Sequence, residues 1–210
     1  MPEALAHPFT LPMIVFAYLM GSISTAILTA RLFGLPDPRT TGSGNPGATN
    51  MLRQGGRWPA ILTLIGDIAK GVIPVAIAHA LDLDSSALAL VAVAAFLGHL
   101  YPVFFGFRGG KGVATALGVL LGLSPLLGLL VLGVWLAVAA LTRYSSLAAL
   151  IAALSATPLT WWLLPETPLI LAVATLSLLL IQRHHGNIRR LVRGEESRIG
   201  QRKKSEPAAN

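Results

Sequence analysis

Long apolar runs without charge divide most of the chain. They cover residues 9–30, 58–81, 85–107, 113–142, 144–165 and 167–182. Only the second run is interrupted by charge, at Asp67 and Lys70. The runs are continuous rather than alternating, which favours helices over half-buried strands. A helix needs about 20 residues to cross a hydrocarbon core of about 30 Å, and a backbone without water must satisfy its own hydrogen bonds. The pattern predicts an all-α, polytopic membrane helix bundle.

The basic residues gather on one side of these runs. All but one of the 16 Lys and Arg residues lie in four places: residues 31–57, 108–111, 143 and 183–204. The loops around Asp82 and Glu166 contain none. Because cytoplasmic loops carry the excess of Lys and Arg, we expect all four basic regions on the cytoplasmic face.

This placement constrains the run at 113–142. Both of its ends are expected on the cytoplasmic face, so the chain must cross twice within it. Ser124-Pro125 is the point where a helix would break, because proline cannot continue the hydrogen-bond ladder. We therefore predict helices at 113–123 and 125–141, and seven transmembrane helices in total, with the N-terminus outside and the C-terminus in the cytoplasm. Four small residues are predicted to allow close helix packing: Gly118, Gly122, Gly128 and Gly133.

Composition agrees with this picture. Apolar residues make up 54% of the chain and charged residues 12%, against about a quarter charged in soluble domains; the mean hydropathy is +0.69. A soluble globule and a disordered chain are both excluded. The net charge of +7 is explained by topology and anionic lipid, so no nucleic acid partner is expected. Cysteine is absent, which excludes thiol chemistry.

The pattern also predicts how the chain is divided. We expect one integral membrane domain over residues 1–200 and a basic, disordered cytoplasmic tail over 201–210. The first apolar run lacks a basic leader and exceeds a signal-peptide core, so it is predicted to be a retained anchor.

Polar residues concentrate in four cytoplasmic segments, at 38–53, 106–113, 142–146 and 183–191. The first contains G-x-G-x-x-G but lacks the preceding strand of a dinucleotide fold. Its glycines suit an anion nest, although a flexible loop would fit too. The second resembles a Walker A loop with one residue too few. Glycines and Lys111 at a helix start still suit phosphate, with a topological anchor as an equal alternative. Taken alone, the third segment (142–146) would be a turn, and the fourth (183–191) would be a helix cap at the membrane interface.

Five further polar residues lie in or beside the apolar runs. Asp67 and Lys70, three apart, are predicted to pair and face the bundle interior, since charges there cost at least about 2.5–3.5 kcal/mol. We favour a structural role for this pair, in support of the loops, over a catalytic one. For His99 we expect a buried, hydrogen-bonded side chain. His79 and Asp84 match an H-x4-D acyltransferase dyad, but they are expected on the outer face and are discounted. No histidine spacing typical of zinc is present, so no metal is expected.

Together these segments resemble the bacterial acyl-phosphate:glycerol-3-phosphate acyltransferase family. Three blocks carry the resemblance: residues 42–50 with Arg53, residues 98–115, and residues 184–195. Gly21-Ser22, the segment 67–71 and the segment 142–144 are also similar, so the resemblance covers about residues 11–200. It implies a seven-helix enzyme of phospholipid biosynthesis in the bacterial inner membrane, with its active site facing the cytoplasm.

The resemblance implies transfer of a fatty acyl group from acyl phosphate to the 1-hydroxyl of glycerol 3-phosphate, giving lysophosphatidic acid and phosphate. The implied partners are both substrates, membrane lipids and an upstream enzyme that forms acyl phosphate; no cofactor is implied. The implied catalytic residues are Ser43, Arg53, Lys111, His184 and Asn187. The implied substrate- and phosphate-binding residues are Gly42, Gly44, Asn45, Gly47, Thr49, Asn50, Gly109, Gly110, Gly112, Arg143 and Ser146. Asp67, Lys70 and His99 are implied supporting residues.

Two questions stay open at this point. His184, three residues before Asn187 and thus on the same face of a helix, is one candidate base; the acyl phosphate's own oxygen is the other. The alternative function is a small-anion or phosphate-ester transporter, which broken helices and a buried ion pair would also suit.

Overall fold

The computed structural model describes residues 7–200, and over this range it contains helices and no strand. Residues 201–210, predicted to be a disordered tail, lie outside the described residues. The helices, in chain order, are α1 Thr10–Gly21, α2 Thr25–Leu32, α3 Ala48–Gly55, α4 Arg57–Ala80, α5 Ser85–Leu100, α6 Val113–Leu123, α7 Pro125–Thr142, α8 Ser145–Leu163, α9 Thr167–Arg183 and α10 His185–Val192. A 3₁₀ turn, Val103–Phe105, follows α5.

In the described part of the chain, four helices are long and apolar enough to cross a membrane by themselves: α4, α5 with its 3₁₀ turn, α7 and α8. Two bent pairs, α1 with α2 and α9 with α10, raise the number of candidate spans to six, and α6 is a shorter apolar helix. Their outer faces carry large exposed apolar side chains, such as Leu141 (85% exposed) and Trp162 (71%). These faces suit lipid rather than water.

The predicted break at Ser124-Pro125 is confirmed. Helix α6 ends at Leu123 and α7 begins at Pro125. The Ser124 hydroxyl caps α7 by accepting a hydrogen bond from the Leu127 N–H (3.3 Å), and proline occupies the first helical position, where no N–H is needed.

The unbroken hydropathy of the first apolar run predicts one helix, but the structure divides this run into two helices. It bends by 41° between α1 and α2, and the carbonyl of Ile23 at the bend accepts a hydrogen bond from Lys70 Nζ (2.9 Å). Lys70 also pairs with Asp67 (2.9 Å), whose carboxylate accepts from the Thr25 hydroxyl (2.5 Å). The predicted ion pair is thus confirmed as buried, and it braces this bend.

Small residues set the closest helix crossings. A Cβ on Gly118 of α6 would overlap the Ile68 carbonyl of α4, and a Cβ on Gly98 of α5 would overlap the Tyr18 carbonyl of α1. Gly122 and Gly128 also lie against side chains, whereas Gly133 faces open space. The packing prediction was therefore wrong for Gly133, which is exposed on a face that no other helix of residues 7–200 covers.

Candidate active site

The first polar segment folds around Asn50, which is 1% exposed. Its Oδ1 accepts from the Ser43 N–H (3.0 Å), and its Nδ2 donates to the carbonyls of Pro38 (2.9 Å) and Thr41 (3.2 Å). Gly42 has φ +63°, and a Cβ there would overlap Asn50 Oδ1. Asn50 therefore shapes the loop from inside, and glycine is required beside it.

Arg39, held by a local ion pair with Asp37, joins this loop to the next. The Arg39 guanidinium contacts both carboxylate oxygens of Asp37 (2.7–3.1 Å), and its Nη1 donates to the Phe105 carbonyl (3.0 Å). The hydrogen bond from Arg39 holds the pKa of the Asp37 carboxyl below its usual value. The pair fixes the first polar segment against the 3₁₀ turn after α5.

The second polar loop is held by Arg183, the last residue of α9. Its Nε donates to the Gly110 carbonyl (3.1 Å) and its Nη2 to the Gly109 carbonyl (2.9 Å), while the guanidinium lies 5.8 Å from the Tyr101 ring centre. The Gly110 N–H donates to the His99 carbonyl (3.3 Å). A Cβ on Gly109 or Gly110 would overlap His99, so both positions require glycine.

A polar chain runs from Lys111 to the C-terminal segment. Lys111 Nζ donates to Asn187 Oδ1, and Asn187 Nδ2 donates to Glu196 Oε1 (2.6 Å). The same carboxylate accepts from the Ser146 hydroxyl (2.7 Å) and from Arg190 Nε (2.7 Å). The Glu196 side chain is 7% exposed. Three separate stretches of chain therefore meet at one carboxylate.

Residues that follow Glu196 extend these contacts. Ser197 accepts from Arg53 Nη2 (2.8 Å). The Ile199 N–H donates to the Arg143 carbonyl (2.7 Å), and Arg143 Nη2 donates to the Ile199 carbonyl (2.9 Å). The segment after α10 thus ties α3 to the turn between α7 and α8.

Burial and neighbouring charge shift three pKa values here. Burial, aided by the Arg190 charge, lowers the pKa of Lys111 to about 8. Burial lowers the pKa of His184 to about 4, although the bond between its Nδ1 and the Leu180 carbonyl (2.8 Å) acts in the opposite sense. Burial raises the pKa of Glu196, but the hydrogen bonds from Ser146, Asn187 and Arg190 outweigh it and leave the pKa below its usual value.

Two adjoining cavities open beside these groups. The first, of about 260 Å³, is named here the lysine pocket. It is lined by Ser43, Gly44, Asn45, Gly109, Lys111, Arg183 and His185. The second, of about 250 Å³, is named the arginine pocket. It is lined by Arg39, Gly44, Pro46, Phe107, Arg108, Gly109 and Arg183. Gly44, Gly109 and Arg183 form the wall that the two share.

The structure brings most of the sequence-predicted residues to this end of the bundle. Five line the lysine pocket: Ser43, Gly44, Asn45, Gly109 and Lys111. Gly47 precedes α3 and Gly112 precedes α6, while Ser146 and Asn187 join Lys111 through the polar chain. Two others line neither pocket: Thr49 is exposed in the first turn of α3, and Arg143 is exposed with its guanidinium on the Ile199 carbonyl.

His184 is placed differently from the expectation. It does not share a helix with Asn187, because α9 ends at Arg183 and α10 begins at His185, with His184 between them. Both side chains are nevertheless buried, at 3% and 7% exposure. Both lie near Lys111, which donates to Asn187 Oδ1 and whose charge contributes to the lowered pKa of His184.

Sequence reasoning missed four residues of the site. The positive-inside pattern explains Arg39, Arg108 and Arg183 by topology alone, and Glu196 lies within the basic region 183–204. The available signal for Glu196 was its position as one of two carboxylates in a strongly basic region. Within residues 7–200 no group of three His, Asp or Glu side chains is placed to hold a metal ion.

Comparison with known proteins gives a consistent result. The family described as glycerol-3-phosphate acyltransferase matches residues 11–194. Relatives of that name include one from Thioalkalivibrio sulfidiphilus, 57% identical over 92% of this chain and 95% of its own length. Another, from Methylobacillus flagellatus, is 59% identical over 90% of this chain and 96% of its own length.

Solved structures agree with the sequence relatives. The crystal structure of PlsY (YgiH), an integral membrane glycerol 3-phosphate acyltransferase in its glycerol 3-phosphate form, superposes with a TM-score of 0.87. It shares 43% identity, covering 91% of this chain and 96% of that one. None of these matches favours the transporter alternative. The protein is thus an integral membrane enzyme, and it belongs to the glycerol-3-phosphate acyltransferase family.

Proposed function

We propose that this enzyme transfers a fatty acyl group from acyl phosphate to the 1-hydroxyl of glycerol 3-phosphate. Family membership supports the acceptor, and a second PlsY structure is described as a lysophosphatidic acid form. The observation that carries the proposal is the pair of cationic cavities around Lys111 and Arg183, because donor and acceptor would each bring a phosphate. Backbone N–H groups and cationic side chains are the groups that bind phosphate.

The proposed reaction needs no cofactor. The hydroxyl oxygen attacks the acyl carbonyl carbon, a new ester C–O bond forms, and the acyl C–O bond to phosphate breaks. The hydroxyl proton leaves with the phosphate. Lys111 and the neighbouring N–H groups would stabilise the charge on the carbonyl oxygen and the leaving group.

We favour the acyl phosphate itself as the acceptor of that proton. His184 is the competing base, but with a pKa of about 4 it binds a proton weakly at neutral pH, and an efficient base has a pKa near the working pH. Its Nδ1 also faces the Leu180 carbonyl. We propose that His184 instead orients substrate through Nε2.

Individual roles follow from position. We propose that Ser43, Arg53, Lys111, Ser146 and Asn187 act as the phosphate-binding set, with Arg53 and Ser146 reaching substrate once it displaces their present contacts with Ser197 and Glu196. The glycines of both loops would contribute backbone N–H groups. Asp67, Lys70 and His99 would support the loops from inside the helix bundle.

The Lys111→Ala variant tests the assignment of the site. With glycerol 3-phosphate and palmitoyl phosphate, we expect it to lose most of the phosphate release and lysophosphatidic acid formation, since one charge-assisted contact to a transition state contributes about 2.7–4 kcal/mol. Arg189→Gln, a change of an exposed basic residue outside both pockets, is the matched control and should keep activity. Retained activity in Lys111→Ala with unchanged folding would refute the role.

We further propose seven transmembrane spans in the bacterial inner membrane, with the N-terminus outside and the site facing the cytoplasm. Helix α6 would be the seventh span; its 11 residues rise only about 16 Å, so neighbouring helices or a thinned bilayer must enclose it. Residues 1–200 would form one domain, fed by an upstream enzyme that makes acyl phosphate.

The cysteine-free sequence makes this topology directly testable. Glu166→Cys and Thr40→Cys each introduce a single thiol at an exposed position. In spheroplasts, a membrane-impermeant maleimide should label Glu166→Cys at once and Thr40→Cys only after permeabilisation. The reverse order would overturn the proposed orientation.

A further inference from the structure

The two lysines of the described residues are held in different ways. Lys70 is 3% exposed, and its Nζ lies between the Asp67 carboxylate (2.9 Å) and the Ile23 carbonyl (2.9 Å). Lys111 is half-buried, and its Nζ donates to the neutral amide oxygen of Asn187. No carboxylate of the described residues lies within ion-pair distance of it. Direct pairing therefore fixes the charge of Lys70 but not that of Lys111.

Positive charge dominates the surroundings of Lys111. The charged and titratable groups that face it are Arg53, Arg183, His184, His185, Arg190 and Glu196. Burial and the arginines lower its pKa to about 8, and the Glu196 charge acts in the opposite sense. About half of Lys111 is therefore a neutral amine at pH 8, and about a tenth at pH 7. Desolvation beside other cations is one way in which enzymes make a lysine nucleophilic.

The same amine faces the space where substrate is proposed to react. Lys111 lines the lysine pocket beside Ser43 and Gly109. In the proposed reaction it stabilises the carbonyl oxygen of the acyl phosphate, which is one bond from the electrophilic carbon. Attack on that carbon needs an approach of about 3–3.5 Å. An acyl phosphate is a mixed anhydride, and neutral amines are better nucleophiles towards it than hydroxyl groups are.

We propose that Lys111 is a self-acylation site, which acyl phosphate modifies when no acceptor is bound. The neutral Nζ attacks the acyl carbonyl carbon, an amide C–N bond forms, and the acyl C–O bond to phosphate breaks; the phosphate leaves with one amine proton. The amide carries no charge, so the modified enzyme has lost a phosphate-binding cation. Bound glycerol 3-phosphate protects the lysine, because its phosphate keeps Nζ protonated and its hydroxyl takes the acyl group. This inference rests on the proposed donor.

Peptide mapping by mass spectrometry tests the proposal on the purified enzyme in a neutral detergent. Palmitoyl phosphate is added without glycerol 3-phosphate, and acylation is followed over time at pH 6, 7, 8 and 9. The chain has only four lysines to compare: Lys70, Lys111, Lys203 and Lys204. At pH 8 we expect Lys111 to react at least about tenfold faster than Lys203 or Lys204, since an ordinary lysine has a pKa of about 10.4. Lys70 should stay unmodified.

The pH dependence and the activity give two further readouts. The acylation rate of Lys111 should level off above about pH 8, whereas that of an ordinary lysine rises about tenfold per pH unit up to about pH 10. Acyl-transfer activity should fall in proportion to the modified fraction of Lys111. Excess glycerol 3-phosphate should prevent both the modification and the loss of activity.

Three variants separate the site from its surroundings. Lys111→Arg keeps a positive charge but offers no amine, so no adduct should form at this position. Arg190→Gln removes the charge that most lowers the pKa of Lys111, and each unit by which that pKa rises should slow acylation at pH 8 about fivefold. Arg189→Gln, the same change outside both pockets, should leave the rate unaltered. Faster acylation in Arg190→Gln would contradict the proposal.

Turnover and adduct formation are measured separately, so the two possible failures are distinguishable. If the enzyme makes lysophosphatidic acid from palmitoyl phosphate but Lys111 is modified no faster than Lys203 or Lys204, the self-acylation site is refuted and the proposed function stands. If Lys111 is modified selectively but no lysophosphatidic acid forms with glycerol 3-phosphate present, the proposed function fails and the modification site stands. Neither adduct nor turnover would refute both.

Discussion

Glu196 and Arg190 shift the pKa of Lys111 in opposite directions. Removing one charge or the other should therefore move this pKa in opposite directions, and that difference can be measured. Glu196 reaches Lys111 through Asn187, and its negative charge raises the pKa of the lysine, whereas the positive charge of Arg190 lowers it. In the enzyme without substrate, the pKa of Lys111 is about 8. It is therefore an ammonium group below this pH and loses its charge above it. If Lys111 binds phosphate, kcat/KM for glycerol 3-phosphate should fall as the pH rises through about 8.

Glu196→Gln removes the negative charge and nearly preserves the shape. The Oε1 position can still accept from Asn187 and Ser146, but an amide nitrogen facing Arg190 Nε replaces an acceptor that lies 2.7 Å away. Hydrogen bonds to charged groups contribute about 1.5–3 kcal/mol. That bond is made in the free protein, so its loss bears on stability. The effect on kcat/KM comes through Lys111: each unit by which its pKa falls lowers the charged fraction, and with it kcat/KM, about tenfold at alkaline pH.

The direction of the pH shift is the decisive readout. In Glu196→Gln the alkaline fall in kcat/KM should move to lower pH, and in Arg190→Gln it should move to higher pH. Thermal unfolding of each variant in detergent is measured alongside, and Arg190→Gln keeps the test usable if Glu196→Gln does not fold. Movement of both variants in the same direction, or of neither, would refute the view that these charges act through Lys111.

Three further predictions concern residues around the loops. Gly110→Ala should raise KM for glycerol 3-phosphate more than it lowers kcat, because a Cβ would overlap His99 and displace the loop; steady-state kinetics on both substrates would show it, and unchanged KM would contradict it. Asp67→Asn should lower stability by about 3–5 kcal/mol, since it leaves Lys70 as an unpaired buried charge; denaturant unfolding in detergent checks this, and a loss below about 1 kcal/mol would contradict it. His184→Gln should keep the acidic side of the pH profile unchanged, as measured from pH 5 to 7; loss of a titration step there would restore His184 as the base.

The sequence predicted the helices well because a membrane permits few alternatives. Uncharged runs long enough to span must satisfy their backbone internally, and Ser124-Pro125 carries its own break signal. The bend at Ser22–Ser24 could not be predicted in this way. The Ile23 carbonyl at the bend is satisfied by Lys70, from a helix more than 40 residues away in the chain. Gly21-Ser22 lies at the bend and is the kind of pair at which helices kink, but inside an unbroken apolar run such a pair does not by itself predict a break.

The site was predictable only where its residue types were unusual. Glycine and asparagine clusters after apolar helices pointed to the loops around Ser43 and Lys111. Arg108 and Arg183 were hidden because arginine at a helix end already has a sufficient explanation in topology. Glu196 was hidden because its partners, Ser146 and Asn187, are 50 and nine residues distant, and only the folded bundle brings them together.

The identity of the acyl donor is the central claim, and a side-by-side donor comparison tests it most directly. The purified protein is given glycerol 3-phosphate with either palmitoyl phosphate or a palmitoyl thioester, and phosphate and lysophosphatidic acid are both quantified. We predict one phosphate released per lysophosphatidic acid formed with palmitoyl phosphate, only when both substrates are present, and no product with the thioester. Product from the thioester alone would contradict the account, because no phosphate would then leave the donor.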